Sequence, residues 1–399
     1  MRRTTGLLLT VSWMALGCGE QADGDGQQFA PYDGGPPDAA APVTPDAAPP
    51  LTFEPPNTLT VATYNVENLF DLVDDPNADE GEFTPGRPTW DANRLARRLT
   101  DLADAFTAIA ADVVLVNEVE NLEVLTQLRD AIRTGGGPVY PYLAIAPSRD
   151  PRGIDVSLLS RYPVVLQLGR PINRAHTCTH VETGEQTTLD GAWPEARPIL
   201  QVELNLDADP EADLVLLGNH WKAKGRGSFP CDDEAHRLRS GLHLRALIET
   251  LAAARPEMGL IALGDFNTWD FEPPLADALD ARLDLEAQAL LFNAWGDAGV
   301  SERNTRNDND WNRATNSTYQ FDGVWSRLDH ILLSRGLLDG RAGWRLAAGS
   351  VESVADPRFL GPGGAPRSWS SDTGAGYSDH LPVRLTLTRV PQAAGAQAE

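Results

Sequence analysis

The chain has 399 residues and a formal charge of −24, and 42% of its residues are hydrophobic, enough for a packed core and too many for a chain disordered throughout. The acidic balance excludes a uniformly basic nucleic-acid surface. It leaves open a local basic patch, or a metal ion in an acidic cleft supplying positive charge where a phosphate must bind.

The start, "MRRTTGLLLTVSWMALGCGE", places an Arg pair and a short apolar stretch before Cys18. This reads as a signal peptide over residues 1–17, too short to span a bilayer after processing. Ala15-Leu16-Gly17-Cys18 resembles a bacterial lipoprotein box, in which the Cys becomes the lipidated first residue, although Ala15 stands where Leu is usual. An ordinary secreted protein cut nearby is the alternative. Residues 18–57 are Pro, Ala, Asp and Gly with few apolar side chains, and read as a disordered tether behind the lipidated Cys. The expected location is outside the cytoplasm, membrane-anchored through Cys18 or otherwise secreted or periplasmic. No protein partner is expected.

From Thr58 onward, short apolar runs alternate with helical patterns. "TLTVATYNV" reads as a strand, and "DANRLARRLTDLADAFTAIA" sets Leu95, Leu99, Leu102, Phe106 and Ile109 on one helical face. "DVVLVNEV" reads as the next strand. Helices are expected near 122–133 and 234–255, and strands near 155–160, 199–206, 213–218, 260–264, 328–334 and 381–388. Asn304 to Asn316 and residues 355–376 read as long loops. Cys178 and Cys231 form an even pair in an exported chain, for which a disulfide is the simplest use and two buried thiols the alternative. No boundary or repeat interrupts residues 58–390, which are expected to form one α/β domain of two packed sheets beneath outer helices, followed by a disordered tail at 391–399.

Polar residues recur where these apolar runs stop. Asn65 and Glu67 end one run; Asn117 and Glu118, Asn219 and His220, and Asp265 and Asn267 end others; Asp329 with His330 and Asp379 with His380 open two more. Each pair alone is as readily a turn former. Together they belong to one rim, because packed sheets bring strand ends to the same edge. Carboxylates and amides there suit a hard divalent cation, Mg²⁺ or Mn²⁺, and the histidines suit proton transfer or anion polarisation. No nucleophile elbow, P-loop or Cys-His signature accompanies them, so the expected attack is by activated water on a phosphoester.

In order, Y-N-V-E-N, N-E-V-E-N, N-H-W-K, G-D-F-N, L-D-H-I and S-D-H resemble the endonuclease/exonuclease/phosphatase superfamily, whose members include deoxyribonuclease I. The resemblance implies a four-layered α/β/β/α sandwich of two mixed sheets flanked by helices, with a metal-dependent site at one rim. It implies that Glu118 is the principal metal ligand with Asn65 beside it and that Asp265 aligns or deprotonates the attacking water. Asn267 would hold the phosphate, and His220 and His380 would bind it and stabilise its developing charge. Asp329 and Asp379 would orient the histidines, Asp379 also touching a metal. Arg161 and Lys222 are further candidates for phosphate contacts, with Lys224 and Arg226 beside Lys222; a solvated surface is the alternative. Asp74, Asp75, Asp79 and Glu80 could hold Ca²⁺ or form a solvated acidic loop. Trp311 and Tyr319 could stack on bases or serve the core.

The leading expectation is an exported, divalent-metal-dependent phosphodiesterase, a nuclease cutting DNA or RNA. A phospholipid or phosphomonoester hydrolase of the same superfamily is the alternative enzyme, and no clear apolar hairpin for membrane insertion is visible in the sequence. An inactive surface-binding module is the third reading; it would have lost a ligand or histidine.

Overall fold

The computed structural model describes residues 55–191, 196–207, 212–225, 231–300 and 316–391. The expected leader, Cys18, the tether up to residue 54, Arg226, Trp311, nearly all of the Asn304–Asn316 loop and residues 392–399 lie outside them.

Four strands open the fold: β1 (Thr58–Leu69), β2 (Val113–Val119), β3 (Tyr142–Ala146) and β4 (Asp155–Ser160). Between β1 and β2 runs α1 (Ala92–Ile109), begun where Asp91 accepts the Arg94 amide and ended at Ala110 in the left-handed conformation. Between β2 and β3 runs α2 (Leu122–Thr134), capped by Asn121. The chain then builds a second sheet from β5 (Val164–Arg170), interrupted by a hairpin of β6 (His176–Thr179) and β7 (Gln186–Leu189). It continues with β8 (Ile199–Leu204), β9 (Leu214–His220), helix α3 (Asp233–Ala254) and β10 (Gly259–Asp265). Short strands β11 (Ala281–Arg282) and β12 (Leu291–Asn293) precede a hairpin of β13 (Tyr319–Phe321) and β14 (Val324–Ser326), then β15 (Asp329–Leu333). Strands β16 (Trp344–Leu346), β17 (Glu352–Ser353) and β18 (Val383–Arg389) return to the first sheet.

The first sheet has the order β16-β18-β1-β2-β4-β3, with β17 on β18; the second runs β11-β12-β15-β10-β9-β8-β5. Both are mixed: β1 lies parallel to β2 and β9 to β10, among antiparallel neighbours. Alternation along the strands sorts the side chains into layers. On β2, Val114 and Val116 face the helices with Leu102, Phe106 and Leu128, while Val113 and Leu115 turn inward against Leu216, Ile261 and Leu263. On β10, Leu260 and Ala262 turn outward to Leu244 and Ile248 of α3. The result is the expected α/β/β/α sandwich.

All the expected strands and helices form, with ends shifted by a few residues. Of the unexpected ones, β5 and β16 are held by partners distant in sequence, β8 and β18, whereas β3 pairs with β4 and the β6–β7 and β13–β14 hairpins are local and too short to show a period. The 355–376 segment is a loop carrying two 3₁₀ turns, and it is tied down: Phe359 and Trp369 are buried in the outer core of the first sheet.

Candidate active site

The polar residues singled out in the sequence converge where β1, β2, β9 and β10 end and β15 begins, joined by the turn before β18. Strand geometry is distorted there. The β1–β2 register shifts between Asn65 and Leu69, and Glu67, Asn68, Glu118 and Asn267 take left-handed φ values of 55°, 58°, 67° and 48°. Such residues re-aim side chains at a strand end and persist only where surrounding contacts hold them.

Several contacts cross between the sheets. Asn117 of β2, fully buried, donates through Nδ2 to the Asn219 carbonyl at 3.1 Å and accepts the Asp265 amide at 3.2 Å. Asn65 donates through Nδ2 to Glu118 Oε1 at 3.0 Å and Asp265 Oδ2 at 3.2 Å. Its Oδ1 accepts the Glu67 amide at 3.0 Å. Asn65 as placed therefore links two carboxylates, rather than offering the oxygen expected of a metal ligand. Gly264 permits the close strand approach here, because a Cβ at its φ of 135° would fall 1.9 Å from the Asn219 carbonyl oxygen.

Asp265 accepts the Asn267 backbone amide at 2.8 Å and its side-chain amide at 3.2 Å, and that side-chain amide also donates to the Trp221 carbonyl at 3.0 Å. Asn267 thus orients Asp265, a correction to the expectation that its amide is directed at the phosphate. His380 Nδ1 meets Asp329 Oδ2 at 2.7 Å, and its Nε2 lies 3.9 Å from Asp265 and 4.0 Å from Asp379. His220 Nε2 lies 3.6 Å from Glu118 and 3.7 Å from Asp265, while its Nδ1 has no hydrogen-bond partner. The expected orienting pair is therefore present for His380 with Asp329. Asp379 also lies beside His380 rather than His220, with 37% of its side chain exposed at the mouth.

The electrostatics divide the roles. Burial alone would raise Glu118, but Arg152, the Asn65 amide, His380 and Arg197 hold its carboxyl below the ordinary range. Burial and the Asp329 charge push Asp265 up to about 7. Burial, with Glu118 and Asp329, also raises Asp379. For His380, burial is outweighed by Asp329, Asp379 and Asp265, which lift it well above the usual imidazole range. Burial, aided by Arg197, Arg152 and His380, takes His220 well below that range and keeps it neutral. Two histidines thus stand in opposite charge states about one carboxylate.

Carboxylates whose protons are held up by burial and by one another's charge suit a divalent cation, and their hard oxygens suit Mg²⁺ or Mn²⁺ better than a thiophilic metal. Asp265, Asp329 and His380 each bring a ligand atom, all within 4.8 Å of one another.

A family model for endonuclease/exonuclease/phosphatase proteins matches residues 60–389. The chain belongs to this family. Its members are metal-dependent phosphoric-ester hydrolases, and so is this protein. No curated protein matches the chain in sequence. Among solved structures, a mannosyl-6-phosphatase of Bacteroides thetaiotaomicron is 16% identical, covering 83% of this chain and 99% of that one at a TM-score of 0.49. A humanized D. rerio TDP2 carrying 14 mutations is 13% identical, covering 84% and 100% at 0.48. The human Nocturnin catalytic domain with bound sulfate is 14% identical, covering 84% and 95% at 0.44.

Other candidates fall elsewhere. Arg161 pairs with Asp112 at 2.9 Å, beside the start of β2 and thus at the opposite rim from Glu118. Lys222 follows the Trp221 strand end, half-buried near the site, whereas Lys224 pairs with Glu272 at 2.7 Å over the Trp269 ring. In the acidic loop, Glu80 and Asp79 accept the amides of Asp75 and Gly81, and Asp75 accepts that of Asn77. Those contacts make a self-capped turn; Asp74 stands exposed beside them. The Tyr319 ring packs 4.9 Å from the His380 ring, tilted by 43°, rather than standing free for a base. His330 binds Asn293 at 3.1 Å and the Thr268 carbonyl at 3.0 Å, away from the cluster. Cys178 and Cys231 are bonded, joining β6 to the segment before α3.

No motif marks Arg197, which is buried and donates to the His220 and Trp221 carbonyls at 3.1 Å each and to Asp150 at 2.7 Å. Glu67 was visible in its motif but not its task. Burial, with Asp379, pushes it up to about 8, and it accepts from the Ser368 hydroxyl and the Trp369 amide, tying the 355–376 loop to the rim.

Proposed function

We infer that the protein is an exported phosphodiesterase that cleaves DNA or RNA by attack of water on the phosphorus. The single observation carrying the reaction type is the Asp265 arrangement: a buried carboxylate near pH-neutral pKa, oriented by Asn267, between a neutral His220 and a charged His380. Glu118 and Asp379 would hold Mg²⁺ or Mn²⁺, which supplies Lewis-acid stabilisation of phosphoryl charge when bound. Asp265 accepts the proton of the attacking water. The water oxygen bonds to phosphorus, the ester oxygen leaves with its electron pair, and His380, held by Asp329, faces the charge that develops on the phosphoryl oxygens. His220 presents Nε2 to the same region as a neutral donor.

The Cys178–Cys231 bond suits an oxidising compartment, in keeping with export and a lipid on Cys18. Metabolic fatty-acid labelling tests the anchor, and an unlabelled Cys18 removes it. One observation favours a phospholipid substrate instead. The β13–β14 hairpin, whose Tyr319 packs on His380, exposes Phe321 at 46% and Val324 at 58%.

The deciding experiment sets supercoiled plasmid and single-stranded RNA against the purified protein with Mg²⁺ or Mn²⁺, with chelator, and with Asp265→Ala. Chelator-sensitive cleavage abolished by the substitution is expected. Intact nucleic acid beside hydrolysed phospholipid would replace the substrate and keep the chemistry.

A further inference from the structure

Asp379 and His380 stand on no strand. They lie in the turn between the 355–376 loop and β18, so contacts other than sheet pairing must fix them against β1. The end of β1 has the complementary problem. β18 pairs with β1 only as far as Thr63, and the β1–β2 register breaks after Asn65, so the carbonyls of Val66 and Glu67 lie in a gap and need other donors.

One side chain from the outer helix meets both needs. Arg98 of α1 is fully buried and donates through Nη2 to the Val66 carbonyl and, at 2.8 Å, to the Glu67 carbonyl. Through Nη1 it donates to the carbonyl of Tyr377, two residues before Asp379. Its guanidinium lies 5.0 Å from the centroid of the Trp369 ring, in the same loop. Arg94 and Asp101 hold that loop from the same face of α1: Arg94 donates to the Ser371 carbonyl, and Asp101 accepts the Gly376 amide at 3.3 Å. Within the turn, the Ser378 hydroxyl donates to the Asn65 carbonyl at 2.7 Å and accepts the His380 amide at 3.0 Å.

Packing alone is a poor account of Arg98. A buried guanidinium gives up its hydration, and this one recovers bonds to carbonyls rather than to a carboxylate, while its Nε has no acceptor. An apolar side chain of similar length would fill the space against Trp369 without that loss, but would leave Val66, Glu67 and Tyr377 unlinked. We propose that Arg98 is a positioning residue for the reaction. Out of the substrate's reach, it locks the Tyr377–His380 turn to the end of β1, and so fixes Asp379 for the metal and His380 beside Asp265. The metal part rests on the reading of Asp379 as a ligand; the anchoring of the turn does not.

The test compares Arg98→Met and Arg98→Lys with the unaltered protein by three measurements: hydrogen exchange without metal, calorimetry with Mn²⁺, and steady-state kinetics on an aryl phosphodiester. In Arg98→Met, the amides of Gly376 and Tyr377, bonded here to Asp101 and the Arg367 carbonyl, should exchange at least about tenfold faster, with those of β9 and β10 unchanged. Mn²⁺ affinity should fall at least about fivefold, and kcat about thirtyfold with KM within about threefold. Arg98→Lys, a point charge able to reach fewer carbonyls, should recover part of kcat, and it carries the same comparison if Arg98→Met does not fold. A lowered melting temperature with loop exchange, Mn²⁺ affinity and kcat unchanged would make Arg98 a packing residue and overturn the proposal. No Mn²⁺ uptake by the unaltered protein would instead remove the ligand reading, with loop exchange and kcat still deciding Arg98. None of these readouts uses nucleic acid, so intact plasmid and RNA would end the nuclease reading and leave Arg98 in place.

Discussion

The two ends of β2 carry the same kinds of side chain and do opposite things. At its start, Asp112 accepts the Thr60 amide at 2.8 Å and meets Arg161, whose side chain is 53% exposed. At its end, Asn117 and Glu118 meet Asn219, Asp265 and Asn65, residues brought in from β9, β10 and β1. A polar residue at a strand end is a surface pair when its partner is a solvated neighbour in the same sheet. It is part of a site when its partners are buried polar groups of the facing sheet, because those cannot be satisfied by water.

The largest expected effect lies at the catalytic end. Asp265→Ala and His220→Ala should each lower kcat by about a thousandfold or more, with circular dichroism and melting temperature showing a folded protein. Near-normal turnover in either would dissolve the distinction between the two rims.

Next comes Asn117, which holds Glu118 against Asp265 without facing the substrate. Asn117→Leu strands the Asn219 carbonyl and the Asp265 amide, at a cost of about 1–3 kcal/mol for each. A small shift of a reacting group is expensive, so kcat should fall about a hundredfold while KM changes little. Steady-state kinetics with an aryl phosphodiester checks this, and unchanged kcat would reduce Asn117 to a core hydrogen bond.

The comparison also explains what the sequence could disclose. Strand ends such as Y-N-V-E-N and G-D-F-N were legible because their residues are neighbours in sequence and share a period of two. The sandwich's layering came from the family resemblance, because β2 and β10 are buried on both faces and their apolar runs do not show which side meets which layer. Arg197 was not legible, since it reaches the site through the His220 and Trp221 carbonyls, 23 and 24 positions further along the chain. The side-chain amides of Asn65 and Asn267 were legible as polar groups at strand ends but not in orientation, which depends on Asp265 arriving 200 positions after Asn65. Between the two readings left open for Arg161, the surface pair is the one its place supports, because it follows the end of β4 beside the start of β2, a matter of strand direction that composition does not encode.

Asp155, at the catalytic end, should show its position through stability. Burial pushes it up to about 7, despite the Ser148 contacts. An unfolded Asp titrates near ~3.9, so the native state holds the extra proton between those values. Stability contributed by that proton is full below the unfolded value, declines as pH rises through the window and is gone above the folded one. Asp155→Asn keeps an acceptor for the Ser148 amide and removes the titration. It should raise Tm by about 2–5 °C at pH 8 and by less at pH 4.5. A gain independent of pH would mean that Asp155 is not the titrating group.

The smallest effect belongs at the other end of the same strand. Arg161 has one carboxylate partner, Asp112, and that partner keeps its bond to the Thr60 amide when the guanidinium is removed. An exposed pair contributes about 0.2–1 kcal/mol and is screened by salt. Arg161→Ala should therefore leave kcat/KM within about twofold and move Tm by less than about 2 °C. A loss of substrate binding well beyond that would mean that charge anywhere on the surface steers the substrate, and the contrast between the rims would then be one of burial alone. If Arg161→Ala is silent, recognition follows the strand ends, and the direction in which β2 runs decides which residues can serve the phosphate.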